Sequence, residues 1–263
     1  MRLKDKVAVI VGGGQSKGET VGNGRATAIR FALEGAAVLV VDRDLDSAEE
    51  TVAAIEAEGG DASTMAADVT REVACKAIAG ECLSRYGRID VLHNNVGRSE
   101  GDAETTGLDE ENWLELMDVN LKSAVFTCKH VLPVMRRQRS GVITNNSSTS
   151  SVCSRQTLAY KTAKAGINAM TQNLAIENAP YGVRVNAILP GLMDTPMAIE
   201  RRARERGVPR QTVRDERHAQ VPLGRMGSAW DVASAAVFLA SEDAKYITGV
   251  LLAVDGGLSA RVG

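Results

Sequence analysis

Tyr160 and Lys164 stand four residues apart in a segment that reads as a helix, so their side chains share a face. A free tyrosine hydroxyl titrates near ~10, too high for a base at neutral pH. A neighbouring ammonium favours the phenolate, and a tenfold gain in acidity takes about 1.4 kcal/mol of differential interaction. Such a pair can pass a proton near working pH. The spacing alone decides nothing, because Tyr-x-x-x-Lys also occurs on ordinary solvated helices. Ser147-Ser148 supplies context, since it ends a strand-like run and open α/β sheets place ligands at the carboxyl ends of strands. A hydroxyl there can donate to a carbonyl that Tyr160 protonates. Asn120 lies inside a helical stretch, where asparagine is unfavourable and has no cap to make. Judged alone, it suits a buried amide bonding a backbone carbonyl as well as a holder of a relay water.

A second constellation opens the chain. The apolar run Val7–Val11 is followed by Gly12, Gly13 and Gly14, then by Gly18, Gly22 and Gly24, with Arg25-Ala26-Thr27-Ala28 starting a helix. Glycines between a first strand and a first helix let the backbone approach a pyrophosphate, and the helix N-terminus supplies N–H donors and a positive dipole. Asp42 closes the second strand, where a carboxylate accepts both hydroxyls of an adenosine ribose and repels a 2′-phosphate; this favours NAD over NADP. Asp44 and Asp46 are better placed to cap the next helix. Arg43 and Lys17 keep NADP open, because either could reach a phosphate.

The elements that must position these groups alternate short β-branched runs with longer helical ones, the pattern of βαβ units and a parallel sheet. Strands are expected at Val7–Val11, Ala37–Val41, Ala62–Ala67, Ile89–His93, Gly141–Asn145, Val183–Leu189 and Val250–Val254. Helices are expected over 24–34, 45–58, 72–86, 158–178 and 230–240, with one long helix running through Trp113, Leu116, Val119 and Phe126 to about Arg137. Runs such as Val38-Leu39-Val40-Val41 fit strands buried on both faces. With no repeat or low-complexity linker, residues 1–263 read as one α/β domain, Rossmann-like and doubly wound, with a seven-stranded mainly parallel sheet and helices on both faces.

Composition narrows the function classes. A formal charge of -2 and 3% aromatic residues disfavour nucleic-acid binding. Cys75, Cys82, Cys128 and Cys153 form no CxxC pair and have no companion histidine spacing, so no metal site is expected. No apolar run resembles a signal-peptide core or approaches the ~18 residues of a membrane span. A soluble, cytoplasmic protein is the expectation. Seven arginines crowd the eighteen residues from Glu200 to Arg217, reading either as a solvated helix pair or as an anion-attracting lid. Ser150, Ser151, Ser154, Arg155 and Gln156 suggest a polar pocket suited to a hydroxylated or acidic substrate.

Taken in order, these motifs resemble the short-chain dehydrogenase/reductase family, in its branch of roughly 250-residue single-domain enzymes. The resemblance runs from Lys6 to about Leu258. It rests on Gly22-Asn23-Gly24, Asp68-Val69, Asn94-Asn95-Val96-Gly97, Asn120, Ser148, Tyr160-Lys161-Thr162-Ala163-Lys164, and Pro190-Gly191 followed by Thr195. It implies hydride transfer between NAD(H) and a secondary alcohol or ketone, with Tyr160 as the acid–base. Lys164 would hold the nicotinamide ribose and lower the tyrosine pKa, Asn120 would position a water, and Ser148, with Ser147 as fallback, would orient the substrate. Gly12, Asn23, Gly24, Asp42, Arg43, Asp68, Val69, Asn95, Gly97, Pro190, Gly191, Met193 and Thr195 would line the cofactor site. Residues 193–220 would form a substrate loop, and a homotetramer is the family expectation; Ala233, Ala236, Val237 and Ala240 fit close helix packing but serve a monomer's core equally well. Departures are nine residues between Gly12 and Gly22 where the family has three, Val11 for a threonine, and Val96 for an alanine. Two rival readings are an enoyl-thioester reductase, whose tyrosine and lysine are usually further apart, and a catalytically idle NAD-binding scaffold.

Overall fold

Strand alternation divides the core in two. In β1 (Val7–Val11), Val7, Val9 and Val11 pack with Leu39, Leu92 and Ile143, whereas Ala8 and Ile10 pack with Val38, Val40 and Val91. A strand apolar on both faces needs helices on both sides, and the chain supplies them. The computed structural model describes residues 1–153 and 157–261; Ser154, Arg155 and Gln156, read above as pocket-lining, lie outside them.

The order is β1, α1 (Asn23–Leu33), β2 (Ala37–Asp42), α2 (Leu45–Ala57), β3 (Asp61–Ala66), α3 (Glu72–Tyr86), β4 (Val91–Asn94), α4 (Glu110–Met117), α5 (Ser123–Gln138), β5 (Gly141–Asn146), α6 (Leu158–Asn178) and β6 (Val183–Pro190). There follow β7 (Met193–Asp194), α7 (Pro196–Arg206), α8 (Arg210–His218), β8 (Gly227–Ser228), α9 (Ala229–Ala240) and β9 (Leu251–Val254). The main sheet is parallel throughout, in the order β3-β2-β1-β4-β5-β6-β9. Its direction of growth reverses between β1 and β4, the switch point beside which such sheets bind ligands. Val11 pairs with Val41 and with Asn94, and Asn94 pairs with Asn145, so the carboxyl ends of the central strands come level. Among the described residues, no helix is long and apolar enough to cross a membrane.

The structure departs from the sequence expectation at one helix and adds detail at two further places. The long helix through Trp113 is not continuous, because a π-helical segment over Asp118–Lys122 separates α4 from α5. There the Asn120 side chain donates to the Leu116 carbonyl (2.9 Å), which its own N–H would use in an α-helix, and the Ser123 N–H bonds the Asp118 carbonyl five residues back. The arginine-rich segment has an apolar core of its own, with Ile199, Ala203 and Val213 closing on Leu192, Val221 and Met226. The two-residue pair β7–β8 joins the chain before α7 to the chain before α9 and was invisible as a pattern. Finally, Ala233, Ala236, Val237 and Ala240 are buried within this chain, Ala233 against Ala26 of α1, so the small-residue face serves the monomer's core.

His93, at the centre of β4, is fully buried beside Phe31 and shares a 2.7 Å hydrogen bond with Thr144 Oγ1. Burial pushes its pKa down to about 4. An unfolded histidine takes up its proton below about 6.5, the folded one only near 4, so stability is lost as pH falls through that window. The full effect is on the order of 3 kcal/mol. Urea midpoints measured from pH 7 to pH 4.5 should fall more steeply for the wild type than for His93→Gln. Equal slopes would remove His93 from the acid response.

Candidate active site

The turn from β1 to α1 is shaped for a backbone to lie against a ligand. Gly12 takes a positive φ of 81°, and a Cβ there would meet Val96 Cγ2 at 2.9 Å. A Cβ on Gly24 would fall on the Gly12 carbonyl oxygen and within 2.6 Å of Asn95 Nδ2. Gly22 caps α1 with no side-chain bond to its first turn, and that turn holds no acidic residue, so the N–H groups of Asn23 and Gly24 and the dipole face the cleft. Gly18 is not part of this turn, since it packs on Pro196 and Glu200 of α7. The insertion therefore lies between Gly12 and Gly22. It is pinned by Ser47, which bonds both the N–H and the carbonyl of Gln15 (2.8 and 2.9 Å), and by Gln15 Oε1, which accepts from Gly22 N–H at 2.8 Å.

Along the same cleft, of about 900 Å³, lie Asp42, Arg43, Asp68, Val69, Asn95, Gly97, Pro190, Gly191, Met193 and Thr195. Asp42 accepts from the N–H groups of Gly14 (3.0 Å) and Asp44 (3.2 Å), and a carboxylate still has lone pairs for further donors. The Thr70 hydroxyl bonds Asp68 and holds its carboxyl below the usual range. Arg43 and Lys17 both line the cleft and are exposed. Thr195 begins α7 without spending its side chain on a cap. The glycine turn, the uncapped helix end and the carboxylate closing β2 fit a dinucleotide.

Lys164 joins this turn through a train of hydrogen bonds. Lys164 Nζ, buried, donates to the Asn146 carbonyl at 2.8 Å. Asn146 Nδ2 donates to Asn95 Oδ1 (2.7 Å), and Asn95 Nδ2 donates to the Gly12 carbonyl (3.0 Å). Beneath it, Asn94 Nδ2 donates to Asn145 Oδ1 at 2.9 Å. The sequence shows these asparagines but not that they pair across β4 and β5. Lys164 Nζ lies 5.7 Å from the Tyr160 ring centroid, and desolvation pushes its pKa down to about 8. A Cβ on Gly97 would meet Asn120 Oδ1 at 2.9 Å and Lys164 Nζ at 3.0 Å, so the three converge on one point.

The two serines part company here. Ser147 Oγ donates to the Lys164 carbonyl at 3.0 Å and is committed to holding α6, whereas Ser148 Oγ accepts from Ser150 N–H at 3.1 Å and, among the described residues, donates to no acceptor. The Asn120 side chain is also committed: it donates to the Arg98 and Leu116 carbonyls and accepts from the Arg98 N–H. It is a buried amide bonding backbone, and holding a water would fall to other atoms of that residue.

Asp102 carries no signal in the sequence. Its carboxylate accepts the N–H groups of Ala159 (3.1 Å) and Tyr160 (2.8 Å), capping α6 from 58 residues away, where Thr157 makes no cap of its own. A capping aspartate is sought just before its helix, and this one comes from the loop after β4.

Sheet order and a glycine turn at the switch point define a doubly wound dinucleotide-binding fold. A family model described as enoyl-(acyl carrier protein) reductase matches residues 19–259. The 3-oxoacyl-[acyl-carrier-protein] reductase FabG of Thermotoga maritima is 36% identical, over 98% of this chain and 99% of its own. The 3beta-hydroxysteroid dehydrogenase 1 of Eggerthella lenta is 37% identical, over 98% and 95%. The crystal structure of levodione reductase matches at TM-score 0.93 and 32% identity, covering 99% of this chain and 100% of that one. The chain belongs to the short-chain dehydrogenase/reductase family, whose members are nicotinamide-dependent oxidoreductases.

If Asp102 sets the first turn of α6, Asp102→Ala should cost about 1 kcal/mol of stability and lower kcat about tenfold, since a small misplacement of an acid–base is expensive. Asp102→Asn, which keeps one acceptor oxygen, should recover part of both. Thermal melts and initial rates check this; an unchanged kcat in Asp102→Ala would make the cap dispensable.

Proposed function

We propose that the protein interconverts a secondary alcohol and a ketone with NAD as hydride partner. The observation that carries the reading is the convergence, in one cleft, of the Tyr160–Lys164 pair and a serine with an uncommitted proton, joined by the asparagine train to the glycine turn. Gly12, Asn23 and Gly24 would receive the pyrophosphate, Asp42 the adenosine ribose, Asp68 and Val69 the adenine side, and Thr195 the carboxamide of the nicotinamide. Pro190, Gly191, Met193, Asn95 and Gly97 would wall the ring.

When bound, the nicotinamide gives or takes the hydride. The chain handles the proton and the geometry. Ser148 donates to the carbonyl oxygen and holds it toward Tyr160, whose hydroxyl supplies the proton in reduction and whose phenolate receives it in oxidation. Lys164 holds the nicotinamide ribose and, with a pKa of about 8, remains mostly charged at neutral pH while parting readily with a proton. Asn120 fixes Arg98 and keeps the space beside Gly97 closed to a shifted loop.

The spacing of four between Tyr160 and Lys164, and Ser148 opposite them, support alcohol chemistry over reduction of an enoyl thioester, despite the description carried by the matching family model. Asp42 supports NAD, and Arg43 and Lys17 are the residues through which NADP would be served instead.

An alcohol panel followed by NADH formation tests the reading. Tyr160→Phe should lower kcat by about 10³-fold with little change in NADH affinity. Ser148→Ala should lose more activity than Ser147→Ala. No turnover of any panel member by the wild type, together with an undiminished biological effect of Tyr160→Phe, would return the protein to an idle NAD-binding scaffold. For the cofactor, kcat/KM with NAD should exceed that with NADP, and Asp42→Ala should narrow the gap; equal values in the unmodified protein refute the preference.

A further inference from the structure

The arginines of the lid do not share one fate. Arg206 pairs with Glu216 at 2.6 and 2.8 Å, Arg210 with Glu200 and Glu19, and Arg214 with Asp194 and Glu19. The pairs of Arg206 and Arg210 are solvated ones of the ordinary kind, and Arg214, only 17% exposed, has both its Nε and its Nη2 on carboxylates. Arg201 is different. Its side chain is only 14% exposed and lines the cleft, and one Nη donates to Ser99 Oγ at 3.1 Å. Its Nε is buried and, among the described residues, has no hydrogen-bond acceptor. Glu205 stands 3.7 Å from that Nε on a half-exposed side chain, too far for a hydrogen bond. Across Ser99, Arg98 repeats the condition, with Nη2 on Glu115 and a buried Nε that finds no acceptor among the described residues.

A buried guanidinium edge without an acceptor is costly, because its water has been stripped and nothing has replaced it. Two such edges flank the end of the cleft where the chain leaves Gly97. Arg202, Arg204 and Arg217 line the same cleft, and of its acidic residues Glu200 is already bonded to Arg210. Arginine presents a planar fork that matches a carboxylate. Building on the dehydrogenase reading above, we propose that Arg201, with Arg98 beside it, binds a carboxylate on the substrate, so that the preferred substrates are hydroxy acids and oxo acids.

The position sets the length of the molecule. Ser99 lies two residues beyond Gly97, at most roughly 7 Å along the chain. With the serine side chain and the hydrogen bond to it, the Arg201 guanidinium comes within roughly 12 Å of the point where Lys164 and Asn120 meet. The carboxylate can therefore stand several bonds from the carbinol carbon and still be reached, and a series of chain lengths reads out which separation fits best.

The test compares secondary hydroxy acids of increasing chain length with their methyl esters, following NADH formation. In the wild type, kcat/KM for an acid with a remote carboxylate should exceed that for its ester by at least about tenfold, chiefly through KM. Arg201→Gln should bring the ratio close to one, and Arg201→Lys should restore part of it. Arg206→Gln, which removes an equal charge outside the cleft, should leave the ratio as it was. Acids and esters used equally well by the wild type overturn the assignment while leaving the dehydrogenase reading intact. Equal losses on acid and ester in both Arg201 variants make the residue structural, and a weakened NADH affinity in Arg201→Gln reassigns it to the cofactor. Turnover of neither series overturns the carboxylate assignment, and the dehydrogenase reading is then decided by the alcohol panel above.

Discussion

A lysine ammonium held out of water at the carboxyl end of the sheet is the constraint around which this molecule is arranged. Lys164 is buried, its Nζ bonded to the Asn146 carbonyl, and its pKa drops from 10.5 to about 8. That drop corresponds to a destabilisation on the order of 3 kcal/mol. At pH 7 both the folded and the unfolded chain carry the proton, so the cost is fully present there, and it is relieved only as pH rises above about 8. Everything near the ammonium answers to it. β5 must end with a carbonyl aimed across the cleft, and residue 97 must lack a side chain, because a Cβ would press on Nζ at 3.0 Å. The Tyr160 ring offers its face, a weak additional attraction at 5.7 Å.

The same constraint ties chemistry to cofactor cleft. Because Asn146, Asn95 and Gly12 are joined by side-chain amides, the acid–base end and the glycine turn cannot move independently. The second amide pair, Asn94 with Asn145, is anchored at its ends by Thr127 and Thr171 of the covering helices. Buried amides satisfied in this way specify one register between β4 and β5, since a slip of one residue would leave their polar atoms unpaired. The inserted loop adds a tie on the outer side. Glu19 bonds Arg210 and Arg214 of α8, while its N–H bonds Glu200 of α7, so the insertion bridges the glycine turn and helices α7 and α8.

How much of this the sequence disclosed follows from distance along the chain. Tyr160 and Lys164 are one helical turn apart, Asp42 closes a β-branched run, and Gly12 follows another; each is a local pattern, and the parallel sheet followed from the alternation of elements. The π segment was unreadable because its cause is a side chain competing for a backbone carbonyl, which leaves the apolar periodicity unchanged. Asp102 and its two N–H partners are 57 and 58 residues apart, and Arg201 and Ser99 are 102 apart, so neither pairing leaves a local signature. The choice between Ser147 and Ser148 depended on which hydroxyl α6 would claim, a packing fact absent from the order of letters.

The substitution of valine at position 96 shows how a departure from the family pattern can be absorbed. Its added methyl groups lie where a Cβ on Gly12 would be, 2.9 Å from that point, so the larger side chain makes a glycine at position 12 more strictly required. Gly12 already needs its positive φ for the turn, so the two demands fall on the same residue at no extra cost. Val96 also packs on the core cluster beneath the sheet end, adding burial beside the asparagine train. The departure therefore tightens the turn and leaves Lys164 untouched. A chain with no use for the pair could replace Lys164 by an apolar residue and recover the buried charge as stability. That it keeps the ammonium in place, with the glycine beside it and the amides behind it, is the physical ground for reading the cleft as a catalytic one.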